Sequence, residues 1–300
     1  MAQSRSTHAS AERLTATLIG FTAVLMWALL ALFTAASGSV PPFQLSAMCF
    51  AVGGLIGLGR LVAVPSARAS LTRQPPLAWL VGIAGLFGYH FFYFTALRNA
   101  PAVEAGLIAY LWPLLIVLFS ALLPGERLGW HHVVGALMGF GGAALIVSKG
   151  QGLTIDPRYA FGYGMALVCA FFWSGYSVLS RRFADVPTDL VTLFCLATAF
   201  LSLACHLVLE QTIWPQNPIQ WLAVLGLGLM PVGLAFYAWD RGVKRGDIQL
   251  LGVASYAAPL LSTIVLIVAG YAAFTPIIGL AALLITGGAM LAAKDMLRRS

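Results

Sequence analysis

The side chains here whose types and spacing could do chemistry are rings, not acids and bases. Trp27, Tyr110, Trp112, Trp173, Tyr176 and Tyr256 fall near the middle of long apolar stretches. His90 and Tyr93 lie in the third such stretch, and Tyr237 and Trp239 in the eighth. A buried tyrosine or tryptophan needs a partner for its O–H or N–H, so rings at this depth are expected to face protein or water. As a set they predict a wall of π faces with a few polar tips. Such a wall suits planar or aromatic molecules, each stacking contact adding about 0.5–1.5 kcal/mol beyond burial. For any one ring, ordinary helix packing is the competing reading. Tyr110 and Trp112 are two residues apart and cannot share one face of a regular helix. Either Pro113 relaxes that geometry or one of the pair faces elsewhere.

Backbone groups add to the set. Pro113 and Pro259 sit inside apolar stretches. Each removes an N–H donor and leaves the carbonyl four residues earlier, that of Ala109 or Ser255, without its helical partner. Two bare acceptors at mid-depth could receive an ammonium group. The alternative is a packing kink whose carbonyls are bonded by water or serine hydroxyls. His90, three residues before Tyr93 and on the same helix face, could bond a carboxylate or carry a proton. A helix–helix hydrogen bond is its alternative.

Other chemistry is missing. No carboxylate falls mid-stretch: Glu104, Asp189 and Asp247 begin stretches and Asp240 ends one. Without an intramembrane carboxylate, strong ion coupling is not expected. No lysine or arginine lies mid-stretch either, which argues against phosphate-bearing cargo. There is no metalloprotease helix, serine elbow, carboxylate pair or activated cysteine. The four cysteines (Cys49, Cys169, Cys195, Cys205) show no metal-ligand spacing. No catalytic residue, metal site or cofactor is therefore predicted, and an intramembrane enzyme or passive scaffold is the remote reading.

The elements that position these rings are read from composition. The chain is 60% apolar and 9% charged, against about 25% charged in a soluble domain. It divides into ten apolar stretches near the roughly 20 residues a membrane span needs, at 14–36, 43–63, 77–97, 102–122, 130–148, 160–181, 189–209, 219–241, 247–270 and 275–294. The predicted fold is an all-α polytopic membrane protein. With the amino terminus cytosolic, only Arg98, Lys149 and Arg158 of the 17 basic residues fall outside. The remainder, including Arg73, Arg298 and Arg299, fall inside, the asymmetry that sets orientation. Both termini are then cytosolic. Residues 1–13 are polar and are expected to form a disordered tail. The net charge of +7 is dispersed over short loops, so it marks topology and not a nucleic-acid surface.

A shift of 146 residues aligns Trp27 with Trp173, Tyr110 with Tyr256, Pro113 with Pro259, and Gly141 and Gly142 with Gly287 and Gly288. This predicts two five-helix repeats, 14–149 and 160–295. Five is odd, so the second repeat enters the membrane from the opposite side, the inverted arrangement found in transporters. Residues 95–119 (TALRNAPAVEAGLIAYLWPLLIVLF) then resemble the third-to-fourth-helix signature of the drug/metabolite transporter superfamily. Pro124-Gly125-Glu126-Arg127-Leu128 and the glycines at 135, 139, 141 and 142 continue the likeness. The second half departs from it, with Ala272 where the first has Glu126. The aromatic centre is most similar to the bacterial aromatic amino-acid exporters. The resemblance implies a ten-helix bacterial inner-membrane exporter with a central cavity between its halves. Its expected cargo is a small planar or zwitterionic metabolite, aromatic amino acids first, with other amino acids, purines or drugs as alternatives. Its expected partners are that small molecule and the lipid bilayer, and a monomer suffices.

Overall fold

Every helix in this chain must satisfy its own backbone, because lipid offers no partner for an N–H or C=O. The computed structural model describes residues 2–71, 74–152, 155–270 and 272–294, with side chains from residue 11. Arg73, Arg298, Arg299 and residue 295, the end of the second expected repeat, lie outside the described residues. Nine described helices are long and apolar enough to span a bilayer: α1 (Ala11–Ala36), α2 (Pro42–Ala63), α3 (Pro76–Asn99), α4 (Ala102–Ser120), α5 (Trp130–Val147), α6 (Pro157–Arg182), α7 (Thr188–Leu209), α8 (Pro218–Arg245) and α9 (Ile248–Val268). A shorter apolar helix, α10 (Pro276–Ala292), has 17 residues, at the lower limit of about 17 for a span. These bounds follow the expected stretches closely. Leu80, Phe200, Val208 and Leu283 are exposed, as a lipid-facing surface requires.

The tail departs from expectation. Helix runs without interruption from Ala2 to Trp27, so residues 2–13 are turns of helix and not a disordered tail. Arg13 lies in that extension and pairs with Asp247 at 3.1 Å and Glu126 at 3.4 Å. Those partners give the extra turns a tertiary anchor that composition does not reveal.

The major packing pairs are α5 with α10, α2 with α7, α1 with α8 and α3 with α6. A shift of 146 maps α1·α8 onto α6·α3 and returns the other two pairs to themselves. At the α5–α10 crossing the backbones touch. A Cβ on Gly135 would lie 2.5 Å from the Gly288 carbonyl oxygen, and one on Gly288 would lie 2.5 Å from that of Gly135. Only glycine fits there.

Irregularities repeat with the same offset. A π turn occupies Ala84–Gly88 in α3 and another occupies Met230–Leu234 in α8. The helix also breaks in α4 between Ala102–Ala109 and Trp112–Ser120, and in α9 between Ile248–Ala254 and Ala257–Val268. Both breaks precede the mid-span prolines. The carbonyl of Ser255 is not a bare acceptor, however: the Ala258 N–H donates to it at 3.1 Å. The Ser255 hydroxyl donates to the Leu251 carbonyl at 2.7 Å. The break tightens into a three-residue turn that consumes the acceptor which Pro259 was expected to free.

Tyr256 is likewise committed to the fold. It is fully buried, and its ring packs beside Phe140 with centroids 6.1 Å apart. Its hydroxyl accepts a hydrogen bond from the Leu114 N–H at 3.1 Å. That N–H lies in the first turn after the α4 break, where no intrahelical acceptor exists. Leu111, at the N-cap position, has no side chain that can cap it. Tyr256→Phe leaves this buried donor unpaired, at a cost of about 1–3 kcal/mol. The expected result is a lower melting temperature for the detergent-solubilised protein; an unchanged melting curve contradicts the capping role.

Candidate functional site

Four tryptophans meet at the centre of the bundle. Trp27 comes from α1, Trp112 from the second half of α4, Trp173 from α6 and Trp239 from α8. Every pair of these rings is in contact. Trp27 lies 5.1 Å from Trp239, 5.8 Å from Trp173 and 6.0 Å from Trp112. The remaining separations are 5.8 Å (Trp112–Trp239), 6.1 Å (Trp173–Trp239) and 6.2 Å (Trp112–Trp173). Four of the six pairs are edge-to-face, an arrangement the ring quadrupoles favour. Phe236 adds a fifth ring, 5.6 Å from Trp173, and stacks on Phe50 at 5.4 Å.

Two of the four indole N–H groups are bonded within the protein. Trp27 Nε1 donates to the carbonyl of Pro231 at 3.1 Å, inside the π turn of α8. Trp239 Nε1 donates to Ser177 Oγ at 3.0 Å, which donates to the Trp173 carbonyl at 2.9 Å. Trp112, Trp173 and Trp239 are buried, whereas Trp27 is half-buried. Rings from α4, α6 and α8 pack against Trp27, and part of its surface stays uncovered.

The third helix adds a second tier. Tyr89 lies 5.6 Å from Trp173 and stacks on Tyr93 at 5.9 Å with the rings 8° from parallel. His90 sits against Phe50 at 5.0 Å and Phe94 at 5.9 Å. The shared faces are therefore Tyr89 with Tyr93 and His90 with Phe94, four residues apart. His90 and Tyr93, expected on one face, separate. His90 Nδ1 lies 2.8 Å from the Leu86 carbonyl. A carbonyl only accepts, so Nδ1 carries the proton, and when the ring is neutral Nε2 is an acceptor. Trp112 joins the tryptophan cluster, while Tyr110, two residues earlier, is half-buried at the helix break and takes no part in that cluster.

Tyr176 packs on Trp173 at 5.3 Å, and its hydroxyl approaches Asp240 Oδ1 at 3.4 Å. Asp240 was expected to end a span at the cytosolic face. It is instead 1% exposed inside α8, bonded to Thr188 Oγ1 at 2.7 Å and to Lys244 Nζ at 2.9 Å. The carboxylate is stable there because its cation sits one helical turn away and hydroxyls occupy its other lone pairs. Sequence reading passed over Lys244 as a topology marker; its spacing of four from Asp240 was the available signal.

A cavity of about 860 Å³ opens at the α1–α2–α8 end, with Ile19, Met26, Ile56, Leu234 and Tyr237 on its wall. Of the rings expected to contact cargo, Tyr237 alone lines it. The Tyr237 hydroxyl donates to the Gly53 carbonyl at 3.1 Å and lies 3.2 Å from Thr192 Oγ1. The cavity also carries Asp185, Asp189, Arg60, Arg241, Lys244 and Arg245, so it is not free of carboxylates as expected. Ser255 and Tyr256 belong to neither the cluster nor this cavity, because the α4 and α9 breaks consume their polar groups. No group of acidic, histidine or cysteine side chains suited to a metal ion occurs among the described residues.

Ion networks lie at both ends of the bundle. Glu126, in the α4–α5 loop, accepts from Arg181 and Arg13. Arg181 also donates to the carbonyls of Val243 at 3.1 Å and Gly246 at 2.7 Å. At the other end Glu210, a residue sequence reading did not single out, receives Arg98 at 2.6 Å and His206 at 3.0 Å. It also accepts the first N–H groups of α2, from Phe43 at 3.0 Å and Gln44 at 3.1 Å.

Comparison with known proteins places this geometry. Residues 14–148 and 160–293 each match the EamA-like transporter family. The chain is 56% identical to the aromatic amino acid exporter YddG of Ancylobacter novellus over 282 residues, 94% of this chain and 98% of that one. It is 25% identical to the protein of the same name from Escherichia coli, across 92% of this chain and 96% of that one. A crystal structure 56% identical in sequence superposes with a TM-score of 0.88, covering 94% of this chain and 99% of the other. With both halves matched, the chain belongs to the EamA-like transporter family.

Proposed function

We propose that this protein exports aromatic amino acids across a bacterial inner membrane by alternating access, without catalysing a reaction. The observation that carries the reading is the mutual contact of Trp27, Trp112, Trp173 and Trp239, with the surface of Trp27 left partly open. An aromatic side chain gains from such a surface by burial and by ring–ring contact. The name carried by two similar proteins agrees with it. In this reading cargo rests on the tryptophan floor. Tyr89, Tyr93 and Tyr110 form the wall above, and His90 Nε2 accepts from the cargo's ammonium group. The ammonium role replaces a carboxylate contact, because the free nitrogen of a neutral His90 cannot donate.

The two halves, 14–149 and 160–295, are the repeats whose exchange of shape alternates access, and the inter-half pairs α1·α8 and α3·α6 are the symmetry-related contacts that exchange. Both termini face the cytosol, and one chain forms the whole pathway. The tryptophan floor and tyrosine wall hold no unpaired carboxylate: the nearest, Asp240, is neutralised by Lys244. Flux therefore runs down the cargo gradient.

Two measurements test the reading. In liposome counterflow the wild type is expected to exchange labelled tryptophan and phenylalanine in preference to small aliphatic amino acids and purines. Trp173→Ala removes a cargo ring contact worth about 0.5–1.5 kcal/mol and is expected to slow that exchange by up to about tenfold. Preference for aliphatic cargo, or full activity in the variant, rejects the site. Second, dissipating a proton gradient is expected to leave initial tryptophan flux in the wild type unchanged. Proton movement in fixed ratio to cargo, persisting in His90→Ala, contradicts uncoupled flux.

A further inference from the structure

The cavity at the α1–α2–α8 end is distinct from the tryptophan floor, and its charges sort into two classes. Arg60 is paired with Asp189 at 2.7 Å, Lys244 with Asp240 at 2.9 Å, and Arg245 with Glu12 at 3.3 Å. Arg241 and Asp185 line the same cavity, are exposed, and have no ion-pair or hydrogen-bond partner among the described residues. One opposite charge of each sign is thus left unused beside an apolar wall. Arg241 lies one helical turn beyond Tyr237, on the same face of α8. The Tyr237 ring is held in place through its hydroxyl by Gly53 and Thr192, and the unpaired Arg241 guanidinium starts one turn further along the same face. The volume, about 860 Å³, is within the 300–1,000 Å³ of small-molecule sites.

We propose that this cavity is an entry site for zwitterionic amino acids. Arg241 receives the carboxylate through charge-assisted bonds, Asp185 takes the ammonium, and the wall around Tyr237 and Met26 takes the side chain. The charge distribution assigns this end to the cytosol, so the site captures cargo before it reaches the tryptophan floor. The inference rests on the function proposed above and adds a second, face-specific station to it.

The test uses sealed membrane vesicles of both orientations, with labelled phenylalanine as the probe. In inside-out vesicles, which present the cytosolic face, Arg241→Gln is expected to raise KM about tenfold, as loss of one charge-assisted contact predicts, with the maximal rate kept. Arg241→Lys restores part of the affinity, and Asp185→Asn raises KM by a smaller factor. In right-side-out vesicles Arg241→Gln leaves KM unchanged. An unaltered KM in inside-out vesicles, or an equal rise from both faces, overturns the entry site while leaving the exporter reading intact. A wild type that moves no phenylalanine or tryptophan rejects the exporter reading, and the entry site falls with it.

Discussion

The contact of four indoles at the bundle centre is the constraint around which the other elements arrange themselves. Two of the rings come from the first half of the chain and two from the second, so the cluster is a joint between halves as well as a surface. Ring contacts of this kind have soft geometry: edge-to-face and tilted pairs interconvert at small cost. The bonds around them are less forgiving. Trp27 is held to the Pro231 carbonyl across the two halves, whereas Trp239 is held to Ser177 within one. A movement of one half against the other keeps the second bond and strains the first.

Around that joint, polar groups are consumed locally. The α4 break is capped by Tyr256 from α9, and the α9 break is closed by its own backbone. Asp240 and Lys244 neutralise each other. Glu210 binds the positive end of α2, where an acid is favoured by the helix dipole. The consequence is a membrane interior whose exposed chemistry is aromatic, with charge reserved for its two ends.

Much of this was legible in the sequence, and the reasons are physical. Span limits followed from the length lipid demands, and the repeat from rare residues in register. Trp27, Trp112, Trp173 and Trp239 were identified from depth alone, because a polar-tipped ring in lipid must find protein. Depth does not give direction, and there the reading failed. Tyr256 and Tyr110 are equivalent in register, yet one caps a helix and the other does not join the tryptophans. Pro231 lies mid-span, but its carbonyl's role depends on a π turn that shifts the helix face. Asp240 lies close enough to a helix end to look solvated, and only tertiary contact with Tyr176 and Thr188 buries it.

The paired π turns carry a further implication. Each turn holds one residue more than an α-helical turn, so side chains beyond it are rotated by about 100° from where an unbroken helix would put them. The two turns stand 146 positions apart, at Ala84–Gly88 and Met230–Leu234, so both halves carry the same change of phase at the same point. In α8 that shift frees the Pro231 carbonyl for Trp27 Nε1, so one surplus residue helps fasten the first half to the second.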